Sequence, residues 1–375
     1  MHQEPSGVRI MAYTTIDDPS AHFQTTIFAG TQEARTITFG GNSDLQMDLL
    51  WAKERDSAVN WHRVIDTTRG ASTSSSPEIY SNADSDETPQ AGGEHVKVIG
   101  SNSVQIGSFQ GGNTANNGMV WWVWRANGGS RTTNAEDGNN PAGGYQANTT
   151  AGFSIVDYVG TGAAGTMAHG LGAEPDLIMI KNRDDNDSSW AVYHSANTAA
   201  PETDYLFLDT TAATADDDAF WNDTAPTSTV FTVNTVLNVN TDAENYIAYL
   251  WKGIQGYSKF GSYEGNGNAD GPFVYTGFKP AWLLYRNTDR SENWIIVDHK
   301  RNPYNVVSGA NLQANEPDAE ATETRWEVDF LANGFKVRTD GSTNNANNGD
   351  GETIIYMAFA ENPFVTSGGV PCTAR

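Results

Sequence analysis

Three stretches of this chain repeat one pattern, and a repeat spaced by roughly a hundred residues restricts the fold more than any local propensity does. Asp48–Asp66 reads DLLWAKERDSAVNWHRVID, Asp176–Ser195 reads DLIMIKNRDDNDSSWAVYHS, and Ala281–Asp298 reads AWLLYRNTDRSENWIIVD. Each is an apolar strand ending in a basic residue, then a short polar turn, then an aromatic strand opened by Trp61, Trp190 or Trp294. A short aromatic strand precedes each copy: Ile27–Gly30, Ile155–Gly160 and Phe260–Gly265. An alternating strand follows it, at Val104–Ile106, Val230–Val233 and Gly334–Arg338. Each copy then closes on a strongly apolar strand, Met119–Trp124 (MVWWVW), Tyr246–Trp251 (YIAYLW) or Thr353–Phe359 (TIIYMAF).

The 375 residues therefore divide into three modules of ordinary domain size. Residues 22–125, 152–255 and 256–364 form the modules, preceded by an N-terminal docking arm at 1–21. Residues 126–151, rich in Gly, Asn and Thr and broken by Pro141, read as a linker, and 365–375 as a tail. The second and third modules have almost no spacer, so they are expected to pack as a rigid pair. Alternation such as Phe335 and Val337 against Lys336 and Arg338 marks half-buried strands, and turn clusters separate the runs. The expected fold is all-β, a tandem array of three antiparallel β-sandwich modules of jelly-roll or lectin-like type.

The closing strands break the alternation. A sandwich strand with one wet face shows every second residue polar, but these are apolar on both faces. They must be covered twice, by their own core and by a neighbouring module or subunit, or else lie centrally under a long loop. Trp121, Trp122, Trp124, Tyr249, Trp251, Tyr356 and Phe359 are the candidate interface residues. Trp61, Trp190 and Trp294, which recur at one position of the repeat, are expected to plug the module cores. Phe220 and Trp221 stand outside the repeat and are the candidates for surface binding, since aromatic faces suit glycan stacking and interfaces alike.

Composition excludes several partners. With 46 acidic and 22 basic residues the formal charge is −24, and no stretch concentrates Lys and Arg. A nucleic-acid groove or an anionic membrane needs a basic footprint, and no apolar run is long enough for membrane insertion. Cys372 is the single cysteine, so neither an internal disulfide nor a cysteine metal site is expected. The N-terminal stretch has no cationic segment followed by an apolar run, which points to synthesis in a cytoplasm without a secretion signal.

No catalytic or cofactor motif stands out. The seven histidines are scattered, and neither a zinc-binding His pair, a nucleophile elbow nor a phosphate loop is present. His194 and His299 follow their tryptophans at unequal spacing and read as satisfied surface groups. The acidic runs Asp184–Asp187 and Asp216–Asp218 lack calcium-loop spacing and read as solvated turns. The expectation is a protein without enzymatic activity, cofactor or metal.

Several phrases resemble a known family: MAYTTIDDPSAHFQTTIFAG, NSDLQMDLLWAKER, ANTTAGFSIVDYVGTG, HGLGAEPDLIMIKNR, WNDTAPTSTVF, GYSKFGSYEGNGNADGPFVYTGFKPAWLL and AFAENPF. Over nearly the whole chain they look like a repeat-containing, tail-fibre-like family of virion structural proteins of marine tailed bacteriophages. The resemblance implies a β-rich particle component, assembled in the host cytoplasm and contacting other virion proteins of tail or capsid. The leading expectation is a tail-fibre or appendage protein, docked by its N-terminal arm, a homo-oligomer with a trimer favoured, adhering to a host-surface glycan. A capsid decoration, head-fibre or neck protein is the alternative, and a polysaccharide-degrading tailspike a second one.

Overall fold

The computed structural model describes residues 13–71, 76–88, 95–109, 111–305, 310–322, 324–340 and 347–373. The fold is all-β and sandwich-like, with antiparallel pairing throughout the named sheets. Three large sheets are each faced by a small one, and we call each such pair a lobe. The first large sheet runs Phe23–Ala29, Gly118–Trp124, Leu49–Glu54, Arg63–Asp66, Ile79–Tyr80. The third follows the same order with Ser258–Glu264, Thr353–Pro363, Phe278–Asn287, Ile295–Asp298 and Leu312–Gln313. The second does so with Phe153–Val159, Asn245–Trp251, Leu177–Asn182, Ala191–His194 and Asp204–Phe207, and is extended at both ends.

The closing strands are central in their sheets. Gly118–Trp124 pairs with Phe23–Ala29 on one side and Leu49–Glu54 on the other, and its counterparts do the same. Period-2 alternation then sends side chains to opposite faces. Trp121 and Val123 meet Ile37, Val104 and Ile106 of the small sheet, giving the first lobe its own core. Met167, Phe231 and Val233 cover the second large sheet, and Val328, Phe330, Phe335 and Val337 the third.

The other faces of all three large sheets converge on one common core. Trp51, Trp122 and Trp124 of the first lobe join Met179, Tyr249 and Trp251 of the second and Trp282, Met357 and Phe359 of the third. Trp124 stands 6.1 Å from Trp251 and 5.8 Å from Trp282, centroid to centroid, and Phe23 stacks on Phe359 at 4.9 Å. Close packing of rings from three sheets leaves no wet face on the closing strands, which is why they read as apolar on both sides. The three lobes, consecutive along the chain, thus meet at one centre, and each touches both of the others.

Two segments differ from expectation. Within 126–151, Thr132–Asn134 and Ala142–Asn148 are strands that extend the second sheet beyond Phe153–Val159, so this stretch is not a free linker. Its glycines misled the reading: Gly143 and Gly144 are required because a Cβ there would lie 2.1 Å from the Asp157 carbonyl and 2.5 Å from that of Thr132. In the N-terminal arm, residues 13–21 are fixed on their own chain, while 1–12 lie outside the described residues. Tyr13 Oη donates to the Gly277 carbonyl at 2.8 Å, Thr14 Oγ1 donates to that of Gln255 at 2.8 Å, and Ile16 enters the common core.

Candidate functional site

The repeat places equivalent residues at the three junctions between lobes, and these form a cyclic set of ties. Trp190 Nε1 of the second lobe donates to the Tyr80 carbonyl of the first at 2.8 Å, and Trp294 Nε1 of the third donates to the Phe207 carbonyl of the second at 2.8 Å. Both rings are buried in the common core rather than in the separate module cores where the sequence put them. The residue of the first lobe at this position is His62, not Trp61. The backbone N–H groups of His62, Trp190 and Trp294 are each received by a side chain, of Asn82, Asp209 and Asn315 respectively. Trp61 is 40% exposed, because a shift of one residue along a strand moves a side chain to the other face. His62 is buried, its Nδ1 accepts from Trp51 Nε1 at 3.1 Å, and its ring borders the backbone of Gln313 in the third lobe.

The basic residue ending each first hairpin strand is buried as well. Lys181 Nζ donates to the carbonyls of Ser188 and, in the first lobe, Asp84. Arg286 Nη1 reaches the carbonyls of Phe207 and Thr210 in the second lobe. Lys53 turns back on Glu54 and Ser57. Burial pushes both lysines down to about 8 and Arg286 down to about 10.

Polar networks complete the junctions. Between the first and second lobes, Asp66 accepts from Arg69 Nε at 2.5 Å and from Tyr249 Oη at 2.6 Å, and Glu87 bridges Arg69 and Arg183. Between the third and first, Asp298 accepts from Arg301 Nε at 2.6 Å and from Trp122 Nε1 at 3.0 Å, and Glu320 bridges Arg301 and Arg55. Burial works against ionisation of Asp298, but Arg301 outweighs it and holds the carboxyl below its ordinary value. Between the second and third, the equivalent places carry neutral groups. His194 Nε2 donates to the Tyr356 carbonyl at 3.1 Å, and Thr214 Oγ1 donates to Asn197 Oδ1 at 2.8 Å. His194 is thus a buried junction residue and not a surface group, because its strand end faces the next lobe.

The structure sorts the seven interface candidates by strand face. Trp122, Trp124, Tyr249, Trp251 and Phe359 lie in the common core, whereas Trp121 and Tyr356 point into their own lobes. Phe220 and Trp221 are buried and do not form a binding surface. They ride on the short helix Asp218–Trp221, capped by Asp217, and Trp221 Nε1 is tied to the Asp204 carbonyl at 3.0 Å. The acidic runs act as turn acceptors, Asp217 for Ala219 N–H and Asp185 for Asp187 N–H. Among the described residues, no group of three or more His, Cys, Asp or Glu is placed to hold a metal ion.

A cleft of about 450 Å³ opens where the first and third lobes meet. One wall is the edge strand Phe23–Ala29, the roof is the Gly40–Asn42 loop, and the far side carries Ala281, His299, Lys300 and Ala360–Asn362. Arg125 N–H donates to the His22 carbonyl, and Gly30 N–H to that of Asn117, so the even-numbered residues of this strand face Gly118–Trp124. Phe23, Thr25 and Ile27 therefore turn their backbone groups outward, into the cleft. Sequence reading missed this place. Its signal is Thr25, which stands where the repeat has Ile155 and Phe260.

No curated protein matches this chain. One family model, described as Domain of unknown function (DUF7483), matches residues 18–363, a span that takes in all three lobes as one unit. The chain belongs to the DUF7483 family.

Proposed function

We propose that this protein is a structural component of a bacteriophage particle, part of a tail fibre or similar appendage that contacts the host surface. The reading rests on the resemblance of its sequence phrases, and the common core is the structural observation that supports it. One chain closes three lobes on a shared apolar centre, and the buried charges at the junctions bind one another. Such an arrangement suits a rigid building block. Since a single copy already carries three lobes in cyclic contact, it can serve where such fibres otherwise use a homotrimer. Phe273 and Tyr275, both about half exposed and two apart on one strand, offer the aromatic face for a glycan that Phe220 and Trp221 do not.

The second reading, a decoration protein on capsid or neck, is favoured by compactness, because the lobes share a centre and do not extend along a line. Antibodies against the folded protein, used to label purified particles in electron microscopy, separate the two. Label on the tail or its fibres is expected. Label spread over the head would replace the adhesion reading by decoration, and particles without label would overturn both.

A further inference from the structure

We propose that the cleft between the first and third lobes is a strand-addition site, which takes an extended segment of another polypeptide onto the edge of Phe23–Ala29 that no strand among the described residues pairs. This inference stands apart from where the protein works, because it comes from the chain's own internal repeat.

The equivalent cleft between the second and first lobes is already filled, by a strand of this chain. Ala142–Asn148 pairs antiparallel with Phe153–Val159, the counterpart of Phe23–Ala29, with Gln146 opposite Ile155 and Tyr145 opposite Val156. Gln146 Nε2 reaches across to Thr67 and Thr68 Oγ1 of the first lobe at 2.7 and 2.6 Å. The residues in the place of Thr67 and Thr68 at the open cleft are His299 and Lys300, which line it. Tyr145 packs beneath Gly170, where a Cβ would come within 2.1 Å of its ring; around Gly40, the counterpart of Gly170, a Cβ would meet nothing within 4 Å. One lobe thus holds both strand and ring, and another holds the vacant place for each.

At the third junction Ser258–Glu264 is likewise the end strand of its sheet, but a side chain of its own enters the junction. There Phe260, at the position of Thr25, puts its own ring into the common core. Thr25 is 6% exposed and its hydroxyl has no hydrogen-bond partner among the described residues. The hydroxyl does not plug the gap, and the outward backbone groups of Phe23, Thr25 and Ile27 have the ladder geometry a strand needs. The internal copy defines the occupant: small residues opposite Ile27 and Phe28, an aromatic ring opposite Thr26 lying under Gly40, and an amide or carboxylate side chain opposite Thr25 reaching His299 and Lys300.

The probe is the chain's own Asn140–Thr150 sequence as a labelled peptide, titrated against the intact protein by fluorescence anisotropy. Saturable binding is expected, weakened at least ten-fold by Gly40→Trp, which fills the open space. A second peptide with proline in place of Gln146 leaves the protein untouched and should also lose at least ten-fold. Amide hydrogen exchange at Thr25 and Ile27 should slow when the first peptide binds. Absence of saturable binding, equal binding of both peptides, unchanged binding to Gly40→Trp, or unchanged exchange at those amides would each overturn the proposal. A self-associated protein that Gly40→Trp dissociates would assign the edge to a second copy, and the partner-strand reading would fall.

Discussion

His194 makes the junction between the second and third lobes sensitive to acid. Its ring is buried, Nε2 donates to the Tyr356 carbonyl, and Nδ1 accepts from Ala196 N–H at 3.1 Å. The neutral imidazole therefore satisfies both nitrogens. A second proton on Nδ1 would face an N–H donor in a dry site, and burial pushes the group down to about 4 despite the opposing Tyr356 carbonyl and Asp176. In the unfolded chain the same group titrates near its ordinary value of about 6.5. Its folded value is the lower one, so the stabilisation is complete above about 6.5 and is lost as the pH falls from there towards 4. The full difference corresponds to roughly 3 kcal/mol, of which about 2 kcal/mol is gone by pH 5. Asp209, pushed up to about 6 by burial, gains stability over part of this window and masks the effect in the wild type alone. The assay is therefore a comparison of urea unfolding at pH 7.5 and pH 5 for the wild type and His194→Gln. The wild type should lose about 2 kcal/mol more than the variant over that interval. Equal losses, or a folded-state imidazole resonance of His194 that titrates near 6.5, would refute the reasoning.

Three further outcomes follow from the same geometry. Trp190→Ala removes a buried ring and a tie between lobes and should cost about 3–5 kcal/mol, whereas Trp61→Ala, at an exposed position, should stay below about 1 kcal/mol; thermal unfolding of the two variants decides. Tyr249→Phe takes one donor from the buried Asp66 and should cost about 1–3 kcal/mol in urea unfolding, while Tyr263→Phe, which frees only the Asn347 carbonyl, should cost less. Gly170→Ala should destabilise the fold clearly, because φ is +68° and the new methyl meets Tyr145, whereas Gly40→Ala meets open space and should leave the melting temperature within a degree or two.

The hairpin repeat and the doubly apolar closing strands were legible because both are period signals, and period survives without knowledge of the neighbours. They gave an all-β fold and an apolar surface on both faces of Gly118–Trp124 and its counterparts. What a period does not carry is the register at a turn. Trp61 and His62 are adjacent, and it is His62, whose backbone N–H donates to Asn82 Oδ1, that turns inward. Phe220 and Trp221 looked solitary because their partners, Tyr193, Tyr205 and the Asp204 carbonyl, come from other strands of the sheet. Residues 126–151 looked like a linker since glycine reads as flexibility, yet Gly143 and Gly144 are there because two strands press on their backbones.

By itself, then, the sequence determined the strands, their threefold repetition and the double cover of the closing ones, because side-chain alternation and β-branched or aromatic composition are local properties. Only the tertiary structure decided that the three lobes cover one another. It also decided that Lys181 and Arg286 are buried ties between lobes while Lys53 is buried within its own, and that of the three equivalent strands Phe153–Val159 alone among the described residues is paired by a further strand. Those outcomes depend on which surfaces meet across more than a hundred residues of chain, and the choice among Ile155, Phe260 and Thr25 acquires meaning only once the three junctions can be compared.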